Sequence, residues 1–177
     1  MKIMGICGSY DLDSANGRLL EIFMSHCRDL GAETSIWDNS ACHLPLVGEE
    51  GCWSDSNVEV FQNEATSVDA FVLSSPEYHG TMSGVMKNNL DWLYSKHTSG
   101  KLFALMSTLG GQSSNNTLNH MRIAARWIHG WVIPEQVAVP NVKNAFNDDG
   151  EIIDEGINER IKNMAESLIS NTIKLRR

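Results

Sequence analysis

No stretch of this 177-residue chain approaches the roughly 20 consecutive apolar residues needed to cross a bilayer. The N-terminal run from Met1 to Cys7 has one lysine and is too short for a cleavable signal, so a cytoplasmic protein is expected. Only four prolines are present, with no repeat and no low-complexity tract to mark a linker. A single domain over residues 1–177 follows, large enough to bury roughly 70 % of its unfolded surface without a staple. The four cysteines, Cys7, Cys27, Cys42 and Cys52, form no C-x-x-C pair, and the six histidines form no H-E-x-x-H. Neither a disulfide framework nor a bound metal is expected. Asn115-Asn116-Thr117 fits a glycosylation acceptor, which means nothing without secretion. Cations are scarce, 14 Lys+Arg against 22 Asp+Glu, and the net charge of −8 speaks against nucleic-acid binding. G-x-G-x-x-G, the P-loop and G-x-S-x-G are all absent.

What is present alternates. Residues 3–7 form a short apolar run closed by Gly8-Ser9, a buried strand by pattern. Leu19, Leu20, Phe23, Met24, Cys27 and Leu30 recur at helical spacing from Asn16, with Gly31 at the expected left-handed end. A weaker strand spans 33–37, and 38–57 reads as a long surface loop before a short helix on Val58, Phe61 and Ala65. Residues 70–74 are apolar on both faces, as in a central parallel strand, and Pro76 is expected to stop the ladder. Helix follows over 83–93, strand over 102–106, and a helix on Leu118, Met121, Ala125 and Ile128 capped by Gly130. The last strand falls within 131–139, and a long helix starts near Asp154. Five strands alternating with about five helices predict an α/β fold, a parallel sheet of order 2-1-3-4-5 with helices on both faces.

Ligands in such sheets bind beyond the carboxyl ends of the strands. Three loops therefore matter. Residues 8–16 offer the hydroxyls of Ser9 and Ser14, the Asn16 amide and a helix start, which suits a terminal phosphate; Ser14 and Asn16 equally suit plain helix capping. Residues 75–84 make a strand-to-helix turn with exposed peptide groups, able to lie along a flat ring; Tyr78 or His79 could stack on it, or Tyr78 could simply plug the sheet edge. Residues 107–112 end a buried strand in Gly110-Gly111, which permits positive φ and close approach to a ligand, or a flexible turn. No nucleophile–base pair appears in these loops. Backbone donors without acid–base groups suit a cofactor that performs the reaction itself.

Gly8-Ser9, Ser14-x-Asn16, Ser75-Pro76-Glu77-Tyr78-His79-Gly80 leading to Lys87-Asn88-Asn89-Leu90-Asp91-Trp92, and Ser107 with Gly110-Gly111 resemble the NAD(P)H-dependent FMN reductase family. This flavodoxin-like group includes quinone, chromate and azo-dye reductases. The resemblance implies a flavodoxin-like three-layer sandwich and hydride transfer from NADPH or NADH through FMN to a small acceptor: a quinone, free flavin, chromate, azo or nitro compound. It also implies a homodimer or homotetramer, with the helix after the Pro-Glu-Tyr loop at an interface. Carried over by position, Ser9, Ser14, Ala15 and Asn16 would hold the phosphate. Pro76, Glu77, Tyr78, His79 and Gly80 would border the ring and ribityl chain, and Ser107, Gly110, Gly111 and Gln112 would close the other side. Lys87, Asn88, Asp91 and Trp92 look structural. One position departs: Asp11 stands where the family usually has arginine, so FMN is expected to bind more loosely, with Arg18 able to compensate in part. The alternative is a flavodoxin-type electron carrier, with which the acidic surface is compatible.

Overall fold

Strand β1, Lys2–Cys7, carries no charge after Lys2 and is buried from Ile3 onward, so it sits at the centre of a sheet. It pairs in parallel with β2, Glu33–Trp37, on one side and β3, Ala70–Tyr78, on the other. The computed structural model describes residues 1–112 and 116–176. The two-residue β4, Thr81–Met82, folds back antiparallel on the end of β3. Beyond β3 in the main sheet come β5, Leu102–Thr108, and β6, Trp131–Val139, also parallel. The expected order 2-1-3-4-5 is therefore found as β2-β1-β3-β5-β6, with β4 as the one addition.

Alternation along each strand decides which helix covers which face. Met4, Ile6, Phe71, Leu73, Phe103 and Leu105 form one core with helices α2, Ser56–Ser67, α3, Gly84–Asp91, and α5, Asn116–Trp127. Within it Phe71 and Phe103 stack at 4.7 Å, an aromatic pair contributing about 0.5–1.5 kcal/mol beyond its buried area. Ile3, Val72, Ala104 and Met106 face the other way, against α1, Ala15–Asp29, and α6, Glu155–Leu175. Gly5 shares that face, and a Cβ there would come within 2.6 Å of Met24 Cε. A short helix α4, Ser95–Thr98, and 3-10 turns at Cys52–Ser54 and Val142–Asn144 were not legible in the pattern.

Several expectations are corrected. Pro76 does not end its strand: it pairs in register with Thr108, and β3 runs on to Tyr78. Ser74 O accepts from Gly8 N at 2.7 Å, on the β1 side. Two residues on, Pro76 turns to that same side, beyond where β1 has ended, so its missing N–H leaves no ladder bond unmade. Gly31 takes the left-handed end of α1 as expected, but after α5 that place falls to His129, with φ 68°. Gly130 is glycine for a different reason: a Cβ would lie 2.3 Å from Phe103. Residues 38–57 are not a free surface loop. Leu44 and Cys52 are buried, and the loop is tied down by Asn88 Nδ2 donating to Leu44 O and Trp92 Nε1 donating to Pro45 O. Asn88 and Trp92 thus have the structural role expected of them, and Lys87 bridges Asp91 one turn away at 2.6 Å.

Candidate functional site

β1, β3 and β5 are neighbours, so the loops that leave their carboxyl ends meet at one edge of the sheet. The first loop is tied to the second. Gly8 N donates to Ser74 O at 2.7 Å, and Ser83 Oγ donates to Gly8 O at 2.6 Å while accepting from Met86 N as the cap of α3. Ser75 Oγ accepts from Ser83 N, and a Cβ on Gly8 would press to 2.8 Å from that oxygen. Asn39 Nδ2 donates to Cys7 O from the loop after β2. These residues, Ser74, Ser75, Ser83 and Asn39, underlie the loops; Ser75 stands within the quoted motif, but none of the four is given a site role from sequence. Paired serines closing an apolar strand were the available signal.

Ser14 caps α1, its Oγ accepting from Gly17 N at 3.3 Å, and Ala15 is the first helical residue. The cap uses only a lone pair of Ser14 Oγ, so the hydroxyl proton, which here reaches the Cys7 thiol, is able to turn to an anion. Ser9 is half-buried on the same loop. Both serine hydroxyls, with the Ser9 amide, reach the Cys7 thiol beneath the loop, where burial nevertheless pushes the thiol pKa up and keeps it protonated. Asn16 is buried; its Oδ1 lies 3.5 Å from Ser74 Oγ, and its backbone oxygen accepts from that same hydroxyl. Asp11 acts locally. Its Oδ1 accepts from Asp13 N at 2.8 Å and its carbonyl from Ser14 N, shaping the turn that delivers Ser14. Arg18 instead lines a cavity of about 740 Å³ with Asp13, Glu21, Asp148, Asp149 and Glu151. Tyr10 stacks on His43, its hydroxyl 3.2 Å from Nδ1, joining the first loop to the one after β2.

In the second loop, His79 and Gly80 have φ of 51° and 79°, a two-residue hairpin turn with both central residues left-handed. Tyr78 pairs with Thr81 across it. Tyr78 and His79 are exposed, Pro76 is buried, and Glu77 turns inward, its Oε2 accepting from Thr117 N at 3.2 Å. In the third loop, Ser107 is 1 % exposed and its Oγ has no hydrogen-bond partner among the described residues. Gly110, Gly111 and Gln112 are exposed. Neither glycine uses positive φ, contrary to one reading of the pair, but a Cβ on either would meet no atom of the described residues within 4 Å. The far side of this loop is held by Leu109 N donating to Val139 O and Asn141 N donating to Gly111 O. Residues 113–115, including the start of the glycosylation triplet, lie outside the described residues. Among the described residues no cluster of His, Cys, Asp and Glu could hold a metal ion.

The fold and this edge define a class: a flavodoxin-like α/β protein whose parallel strands end in polar loops beside a capped helix start. The profile of a family described as NADPH-dependent FMN reductase matches residues 1–144, and the chain belongs to that family. The NADPH-dependent FMN reductase ArsH of Acidithiobacillus ferrooxidans is 32 % identical over 154 residues, which cover 84 % of this chain and 64 % of that protein. The chain thus spans just under two thirds of the length of that relative. The FMN-dependent NADPH-azoreductase of Staphylococcus aureus is 29 % identical over 155 residues, 85 % of this chain and 82 % of its own. Among solved structures, FerB, a flavoenzyme NAD(P)H:(acceptor) oxidoreductase from Paracoccus denitrificans, superposes with a TM-score of 0.80 at 20 % identity, covering 98 % of this chain and 97 % of its own.

Proposed function

We propose that the chain is an FMN-dependent oxidoreductase that takes hydride from NADPH or NADH and passes it to a small acceptor, such as a quinone, free flavin, chromate, an azo or a nitro compound. The observation that carries this reading is the convergence at one sheet edge of a serine-capped helix start, a left-handed hairpin turn and a buried Ser107 hydroxyl without a partner among the described residues. A phosphate needs donors, and the hydroxyls of Ser9 and Ser14 with the first amides of α1, Ala15 and Asn16 among them, supply these where the helix dipole favours an anion. A planar ring needs two walls. Pro76, Glu77, Tyr78, His79 and Gly80 form one, and Ser107, Gly110, Gly111 and Gln112 form the other, where the open space beside both glycines lets a ring approach the backbone. The donor set therefore fits FMN.

Bound FMN supplies the redox chemistry, accepting hydride from the nicotinamide and delivering two electrons to the acceptor. The protein's share is positioning: it fixes one flat ring so that a second stacks at near-attack distance. No side chain here need move a proton. A second copy of the chain completes the molecule as a homodimer or homotetramer in this reading. Supporting it, Ile123 and Trp127 of α5 are exposed beside a largely apolar groove of about 540 Å³ that also takes in Met82 and Leu90. Four cysteines without a disulfide fit work in the reducing cytoplasm, and no helix of the described residues is long and apolar enough to cross a membrane.

Equilibrium dialysis against FMN, then steady-state turnover of NADH and NADPH with a quinone, tests the proposal. Saturable FMN binding and turnover above that of free FMN are expected. Turnover equal to free FMN overturns the enzyme reading, and one-electron storage after photoreduction would favour the carrier.

A further inference from the structure

We propose that Glu77 is a positioning residue for the proposed ring site, its carboxylate holding the start of α5 against the β3–β4 hairpin. The inference rests on reading this sheet edge as an FMN site.

Strand parity comes first. Phe71 and Leu73 face the core shared with α5, and Ser75 and Glu77 follow at the same two-residue spacing. Phe103, Leu105 and Ser107 repeat the pattern on β5, where Ser107 lies opposite Ser75 in register. On this face the core therefore changes from aromatic and aliphatic to polar at the level where the ligand loops begin. A carboxylate at position 77 is not needed to fill that core. It is needed by α5, whose first amides have no partner within the helix. Glu77 meets one of them, Thr117 N, at 3.2 Å, and an anion at a helix start is doubly favoured by the hydrogen bond and the dipole.

A second tie lies one turn along. Thr81 Oγ1, on the returning strand of the hairpin, is 2.8 Å from His120 Nδ1. Positions 117 and 120 lie on one face of a helix, so both strands of the hairpin are fastened to the same side of α5. The hairpin tip is close as well: a Cβ on Gly80 would stand 3.7 Å from Asn116 Nδ2. The wall at Gly110, Gly111 and Gln112 leads into α5 and is pinned on its far side by the backbone bonds from Leu109 and Asn141. With Glu77 in place, the hairpin and the first turn of α5 are held at a set separation. Without it, the hairpin keeps its turn and the Thr81–His120 tie but loses its hold on the first turn of α5.

The test compares Glu77→Ala with Glu77→Gln, which retains an acceptor oxygen. Hydrogen exchange at the Thr117 amide is read on the flavin-free protein, and FMN affinity by fluorescence quenching. Glu77→Ala should speed Thr117 exchange and weaken FMN binding by about tenfold each, whereas Glu77→Gln should keep both within about threefold. Thr81→Val, a milder change, should weaken FMN binding by about threefold and serves if Glu77→Ala does not fold. Unchanged Thr117 exchange in Glu77→Ala, or faster exchange with unchanged FMN affinity, overturns the proposal. So does Glu77→Gln that protects Thr117 yet binds FMN as poorly as Glu77→Ala, since the charge would then act on the flavin directly. A wild-type protein that binds no FMN overturns the flavin reading instead, and the exchange data still decide whether Glu77 holds the start of α5.

Discussion

Asn88 and Asn89 stand side by side in α3 and affect it in opposite ways. Asn88 spans to the 38–57 loop through its bond to Leu44 O. Asn89 is fully buried, and neither its Oδ1 nor its Nδ2 has a partner among the described residues. A buried polar group without a bond is a cost, and alanine is the better helix former. Thermal unfolding should therefore show Asn89→Ala equal to or more stable than wild type, and Asn88→Ala less stable by about 1 kcal/mol. Asp11 allows a second residue-scale test. Asparagine retains the Oδ1 acceptor for Asp13 N and removes an anion from the loop that would face the phosphate. Asp11→Asn should tighten FMN binding by roughly fivefold, in line with about 1 kcal/mol between charges in water at contact, with no fall in melting temperature. Unchanged affinity on titration would mean that the carboxylate does not sense the phosphate at all.

Elements are held by contacts that single positions control. Gly17, in the first turn of α1, touches the preceding loop so closely that a Cβ would lie 1.9 Å from Leu12 O. Gly17→Ala must push residues 11–14 away from the helix start, costing about 1–3 kcal/mol and misplacing Ser14. Chemical denaturation and FMN titration together should show loss of both stability and affinity. At α4, His97 is 2 % exposed and its Nδ1 accepts from Tyr94 N at 3.0 Å. Burial, with Lys96 and Lys101 nearby, holds its pKa below the ordinary value of 6.5. The folded state therefore favours the neutral ring, while the unfolded chain takes up a proton more readily. The contribution is fully present above pH 6.5 and is lost as pH falls through the lower folded value. Protonation would also turn Nδ1 from acceptor to donor and break the bond to Tyr94. His97→Asn, which keeps an acceptor near that point, should flatten the stability profile between about pH 7 and pH 5 in urea titrations.

For the whole molecule, the sheet edges and the helical faces differ in how they are covered. β6 is an edge strand, and its register with β5 shifts between Phe103 and Leu105, with Pro134 in the irregular stretch. Proline and a bulge both discourage further strands from adding there. The outer face of α5 is different: Trp127 is 73 % exposed and Ile123 55 %, next to the apolar groove shared with α3. If a second copy covers that face, Ile123→Glu should shift the protein to monomer in light scattering, because a desolvated unpaired carboxylate is costly. A homodimer unaffected by the substitution would place the interface elsewhere.

Much of this architecture is legible in the chain alone. The strands at 3–7, 70–74 and 102–106 are apolar on both faces, and the helices carry apolar residues every three or four positions, so burial demands a parallel sheet between helices. The loops at 8–16, 75–84 and 107–112 follow, because strand ends in such a sheet face one way. The inward turn of Glu77 to an amide 40 residues later, the serine floor shared by Ser74, Ser75 and Ser83, and the seat of Leu44 under Asn88 and Trp92 are not legible there. Each joins positions far apart in the chain, and no local periodicity records such a pairing. Local pattern determined the elements and their order; the tertiary structure alone decided which polar groups meet, because a hydrogen bond depends on distance and direction in space.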